Sequence, residues 1–152
     1  QGCMPNKTQT KINNHNSRLG ALGETYVQSV LIEWCDFVTN CSHTTPYDLI
    51  LDHNNRLYKV QVKTVSQTKT KGGLRYRFHA NRPQRTEQYY KSRNDIYALV
   101  FYPEKVCLFV ANTGHQKHYT FEIPPTKEEE FESLQKTLEE LNNAPILKPI
   151  EE

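Results

Sequence analysis

The stretch PYDLILDHNNRLYKVQVKT, Pro46 to Thr64, constrains this chain more than any other. Two runs rich in alternating apolar residues flank Asn54-Asn55, and asparagine is one of the few residues that tolerates the positive φ of a tight hairpin turn. The loop has either two residues, Asn54 and Asn55, or four, His53 to Arg56; both place its centre between the asparagines. Antiparallel pairing about that centre sets Asp48 against Gln61. Directly opposed side chains share a face, with Cβ atoms about 4.5–5.5 Å apart. Lys63 lies two residues beyond Gln61 and shares that face. Leu49, Leu51, Val60 and Val62 turn to the other side. The sequence therefore predicts a carboxylate, an amide and an ammonium converging at the open end of one hairpin.

Such a cluster has two readings. One is a half-buried Asp–Lys pair on the surface of a sheet. The other is a site for a hard divalent cation such as Mg2+, held by the Asp48 carboxylate, the Gln61 amide oxygen and the Val62 carbonyl. Mg2+ keeps several of its waters, which leaves room for phosphate oxygens and a nucleophile. A lysine at Lys63 could then lower the pKa of an attacking water or stabilise a pentavalent phosphate. Glu24 falls at the rim of a helical apolar stripe. It reads either as a solvated helix glutamate or as a carboxylate leaning over the sheet edge.

That stripe is Leu19, Leu22, Tyr26, Val30 and Trp34, at steps of three and four. It predicts a helix capped by Ser17 and running to about Glu33. Gly20 and Gly23 inside it each cost up to about 1 kcal/mol relative to alanine, which suggests close approach of another backbone. Short strands are expected at 37–40, 47–52 and 57–65. LRYRFH, from Leu74, alternates as a further strand with Arg75 and Arg77 on one face. A helical turn is expected near Glu87–Lys91. IYALVFY and VCLFVA, separated by PEK, read as a buried hairpin, with 96–102 a central strand. Thr126 followed three residues later by Glu129 is a capping-box pattern. It opens a helix whose seam, Phe131, Leu134, Leu138 and Leu141, packs on the domain or on a second subunit. One domain over 17–142 is expected, with flexible tails at 1–16 and 143–152. Gln1, Gly2 and Cys3 precede the single methionine, Met4, and are set aside.

Composition limits the partners. No apolar run approaches the roughly 20 residues needed to span a bilayer, and no signal peptide is visible, so a cytoplasmic protein is expected. Cys3, Cys35, Cys41 and Cys107 form no zinc spacing and read as reduced thiols. Net charge is only +2, but between Lys63 and Arg93 there are nine basic residues against one acid, Glu87. From Glu122 onward nine glutamates stand against three lysines. A basic middle with an acidic counterweight reads either as solvated surface or as a polyanion-binding face.

Taken together, GALGETYVQSVL, PYDLILD, LYKVQVKT and YYKSRNDIYALV resemble, in order, the PD-(D/E)xK nuclease superfamily. The branch they resemble is the group I intron-associated homing endonucleases of cyanobacteria and phages. The resemblance covers about Leu19 to Val110. It implies an α/β fold, a restriction-endonuclease-like mixed central sheet flanked by helices, here with an additional C-terminal helix. It implies a Mg2+-dependent, sequence-specific DNA endonuclease, with Mn2+ as a substitute, acting as a homodimer or homotetramer on double-stranded DNA. Glu24, Asp48, Gln61 and Lys63 match the family's catalytic positions, with Asp48, Gln61 and Val62 on the metal. Lys69, Lys71, Arg75, Arg77, Arg82 and Arg85 would hold the duplex. Pro46 is separated from Asp48 by Tyr47, and Gln61 stands where most members carry Asp or Glu; the loss of one negative charge implies weaker metal binding. The rival readings are a Holliday junction resolvase of the same fold, a catalytically inactive DNA-binding module, and an RNA- or protein-interaction domain.

Overall fold

Asn54 and Asn55 have φ of 52° and 62°, so the hairpin closes on a two-residue turn of the kind whose twist matches its strands. His53 then pairs with Arg56, and the register runs without a slip to Leu49 opposite Val60. The computed structural model describes residues 7–41, 44–80, 85–115 and 118–142.

In chain order the elements are α1 (Lys7–Trp34), β1 (Phe37–Asn40), β2 (Leu49–His53), β3 (Arg56–Val65), β4 (Thr68–Thr70), β5 (Gly73–His79), α2 (Glu87–Arg93), β6 (Ile96–Phe101), β7 (Val106–Ala111), β8 (His118–Phe121) and α3 (Lys127–Asn142). Five strands form a mixed sheet in the order β1-β2-β3-β6-β7. Only β3 and β6 run parallel, because the chain between them crosses over through β4, β5 and α2. A second sheet, β4-β5-β8, covers part of one face.

The pleat divides the core in two. On one face Leu49, Leu51, Val60, Ile96, Ala98 and Val100 pack against Val27, Val30 and Leu31 of α1 and Leu134 and Leu138 of α3. On the other, Tyr97, Leu99 and Phe101 meet Tyr76 and Phe78 of β5. All six residues of β6 are buried, as expected for a strand covered on both faces. No helix among the described residues is long and apolar enough to cross a membrane.

The structure adds to these expectations and corrects one. α1 begins at Lys7, well before Ser17 and inside the expected tail. The segment before Ser17 holds neither Gly nor Pro from Lys7 on, so nothing in it stops the helix. β8 and the short β4 went unpredicted, because each takes its order from pairing with β5 rather than from its own pattern. The Phe131–Leu141 seam is spent on the chain's own core, with Trp34 and Phe131 rings 4.3 Å apart. The capping box forms: Thr126 Oγ1 accepts from Glu129 N–H, and Glu129 Oε1 accepts from Thr126 N–H, both at 3.1 Å.

The two helix glycines differ. A Cβ on Gly23 would lie 1.7 Å from Thr64 Oγ1, whereas one on Gly20 meets nothing within 4 Å. The close approach is thus to a side chain of β3, at one glycine only. Gly20→Ala is expected to stabilise by up to about 1 kcal/mol through helix propensity. Gly23→Ala should destabilise by about 1–3 kcal/mol, as overpacking does. Paired thermal melts check this; equal shifts in the two variants would show that α1 does not seat on Thr64.

Candidate active site

Three consecutive residues of β3 organise the site. Backbone groups of a strand point alternately to its two edges. Val60 accepts from Asp48 N–H at 2.9 Å and so faces β2, whereas Lys59 and Val65 accept from Asp95 and Tyr102 on the β6 side. Val62, in phase with Val60, turns its N–H and carbonyl toward β2 as well.

Where β2 begins, the pairing changes. Val60 is the partner of Leu49, yet its carbonyl also takes the N–H of Asp48. Two residues of one strand therefore oppose one of the other, which is the geometry of a bulge. Asp48 does not stand squarely across from Gln61, as uninterrupted alternation predicted. Its carboxylate instead reaches the edge of β3, where Oδ2 accepts the Val62 N–H at 2.8 Å. That bond fixes the carboxylate beside Val62, whose carbonyl faces the same edge. The Asp48 carbonyl is held in turn by Cys41 N–H at 3.0 Å.

Gln61 and Lys63 project to the face opposite α1, in register with Tyr97 and Leu99 of β6. Both line a cleft of about 370 Å3 together with Ala80, Arg85, Tyr89, Tyr90, Arg93 and Tyr97. Asp48 is outside this lining, one residue along the β3 edge from each of them. Glu24 follows Gly23, whose contact with Thr64 carries α1 across β3 one residue past Lys63. Glu24 itself is half-buried. The structure thus brings Gln61 and Lys63 together in the cleft, puts Asp48 at the strand edge between them, and places Glu24 on α1, the helix that packs on the other face.

The donor set suits a hard cation. It consists of one carboxylate, one amide and one backbone carbonyl, all oxygen ligands of the kind Mg2+ and Ca2+ take. Among the described residues, no three of His, Cys, Asp and Glu gather. The set is poor in charge, as glutamine at Gln61 dictates.

Of the basic residues expected on DNA, Arg85 lies in the cleft. Arg77 is exposed on the outer face of β5, and Arg75 beside it is ion-paired with Glu122 at 3.4 Å. Lys69 lies in β4 and Lys71 is exposed in the following turn; Arg82 lies outside the described residues. The cleft residues that sequence reasoning missed are Arg93, Tyr89, Tyr90 and Tyr97. Their signal was an arginine four residues after a tyrosine on a short helix ending at the edge of a buried strand. Burial raises the Tyr97 phenol to about 12, so it stays a neutral hydroxyl at physiological pH.

Residues 15–138 match a family model described as PD-(D/E)XK endonuclease. The chain belongs to the PD-(D/E)XK endonuclease family. A similar solved structure is that titled "The structure of a bacterial homing endonuclease: I-Ssp6803I", at 15% identity and a TM-score of 0.56, covering 83% of this chain and 96% of that one. At that identity the likeness is one of fold: the mixed five-stranded sheet with flanking helices is restriction-endonuclease-like. No curated protein shows significant sequence similarity. The carboxylate on the bulge, the glutamine and the lysine fall within the family match.

Proposed function

We propose that this PD-(D/E)XK endonuclease is a Mg2+-dependent DNA endonuclease of homing type, hydrolysing phosphodiester bonds in duplex DNA. One observation carries the reading. The Asp48–Val62 bond of 2.8 Å supports it: it holds a carboxylate at the strand residue between Gln61 and Lys63, which line a cleft together with Arg85 and Arg93. The homing endonuclease title of the structural neighbour supports it.

Asp48, Gln61 and the Val62 carbonyl would hold the ion, with Glu24 adding charge from the helix side. When bound, the ion polarises the scissile phosphate and lowers the pKa of a water. Lys63 orients the attacking water and meets charge developing on the phosphate. Arg77 and Lys71, both exposed, supply phosphate contacts outside the cleft, with Arg85 at its wall. One chain has one site and a duplex has two strands, so cutting both calls for a symmetric homo-oligomer. Leu134 and Leu138 of the Phe131–Leu141 seam are buried in the chain's own core, and Phe131 and Leu141 are partly buried against it, which leaves little of the seam for that contact.

The test is incubation of supercoiled plasmid and mixed duplex DNA over a Mg2+ titration. Wild type is expected to nick or cut only with the ion present, and Asp48→Ala to lose about 100-fold or more in rate. DNA binding without ion-dependent cleavage would make the chain a binding module. Preferential cutting of a four-way junction would make it a resolvase.

A further inference from the structure

The cleft wall opposite Lys63 is built from α2, and its chemistry is unusual. The Tyr89 ring is flanked by two guanidiniums, with Arg85 Cζ at 5.2 Å and Arg93 Cζ at 5.4 Å from its centroid. Arg93 Nη1 also donates to Tyr89 Oη at 2.6 Å. Two cations on one ring gain from its quadrupole but repel each other. Among the described residues no carboxylate lies within ion-pair distance of either arginine, although Arg75, also in the basic segment, has Glu122. Among the described residues the lining holds Lys63, Arg85 and Arg93 and no acid. A concave wall with that balance is complementary to an anion.

The backbone of α2 is also anchored. Asn112, buried, donates from Nδ2 to the carbonyls of Tyr90 at 2.8 Å and Asn94 at 3.0 Å. Asn94, also buried, donates to the Ile96 carbonyl at 2.9 Å. Asp95 exchanges two bonds with the backbone of Lys59, at 2.8 and 2.9 Å. Gly114, at φ 82°, lies so close to Glu87 that a Cβ would be 2.4 Å from its carbonyl oxygen. The C-terminal end of α2 is therefore tied to the main sheet and Glu87 at its start to the loop after β7, while Tyr89 holds Arg93 through its hydroxyl. Groups held in this way bind at a smaller ordering cost.

We propose that Arg93 and Arg85, held by Tyr89, bind a second phosphate of the cleaved strand, next to the phosphate addressed by Lys63 and Gln61. The inference rests on the nuclease reading and deepens it: the cleft takes a nucleotide through its two flanking phosphates. A volume of about 370 Å3 falls at the lower end of the roughly 300–1,000 Å3 of small-ligand pockets, which suits one nucleotide unit. Arg93 thereby sets the register of the strand against the attacking water. A planar fork is the group for that task, because it meets two phosphate oxygens at once.

The probes are thymidine 3′,5′-bisphosphate and thymidine 5′-monophosphate, titrated into the full chain with Ca2+ and followed by NMR shifts. Wild type should prefer the bisphosphate about tenfold or more, the size of one charge-assisted contact. Arg93→Ala should abolish the preference, and Arg93→Lys should keep only part of it. Tyr89→Phe keeps the ring but loses the hydroxyl acceptor, and should reduce it. Thermal melts confirm that each variant is folded. An undiminished preference in Arg93→Ala overturns the proposal, as does a wild type with no preference or no binding. Plasmid nicking by the same wild-type preparation is read separately. Its absence counts against the nuclease function, whereas bisphosphate binding judges the second-phosphate site, so the two fail by different measurements.

Discussion

Replacing Lys63 by alanine is expected to lower the rate of Mg2+-dependent cleavage by about 10²–10⁴-fold, the range of a positioned proton-transfer or charge-stabilising group. Lys63 and Gln61 are the β3 residues that line the cleft, and Lys63 is its one lysine among the described residues. Its loss removes that charge and leaves the strand geometry alone, since Lys63 pairs with Leu99 through backbone. Duplex affinity measured in Ca2+ should fall by no more than about tenfold, because most phosphate contacts lie elsewhere. The decisive comparison is the single-turnover rate of Lys63→Ala and wild type on the same plasmid. Rates within threefold of each other would remove Lys63 from the chemistry.

The second large effect is on stability and lies far from the cleft. Glu130 of α3 is 7% exposed, a rare place for a carboxylate. Its Oε2 accepts from the Cys107 N–H of β7 at 2.7 Å and from the Tyr26 hydroxyl of α1. Lys127 stands 3.9 Å away and also bonds Tyr26 Oη and the Lys105 carbonyl. One carboxylate thus joins both helices to the main sheet. Burial, with the Glu130 bond next, raises the Tyr26 phenol well above its usual value; burial likewise raises the Cys107 thiol well above 9.0. Both groups stay protonated, and the donors to Glu130 are the Tyr26 hydroxyl and the Cys107 backbone N–H. Glu130→Leu would orphan two donors at about 1–3 kcal/mol each, while Lys127, largely exposed, regains water. A loss of about 2–4 kcal/mol is expected, or roughly 10 °C in Tm. Glu132→Leu removes the same charge from an exposed site on the same helix and should cost at most about 0.5 kcal/mol. Similar melts for the two would show that the carboxylate does not join the helices.

Much of the fold could be read locally. Asn54-Asn55 names its turn because few side chains tolerate two successive left-handed residues. The hairpin register follows from that turn, and with it the sorting of Leu49, Leu51 and Val60 to one face. Thr126 with Glu129 names the start of α3 because the two satisfy each other's backbone donors. The start of α1 was misplaced because a polar helical turn carries no apolar periodicity to mark it. β8 was missed because a four-residue strand is ordered by its neighbour.

The site divides in the same way. Sequence alone determined that Gln61 and Lys63 share one face of β3, since turn sterics and strand alternation act over a few residues. It also revealed the basic segment, since charge needs no geometry to be counted. Only the tertiary structure decided that Asp48 sits on a bulge and reaches Val62, rather than facing Gln61. It alone made Arg93 part of the cleft, because the buried bonds of Asn94, Asp95 and Asn112 carry α2 across the sheet to face Lys63. Those bonds link residues far apart in the chain, and their effect depends on burial, which no local pattern records.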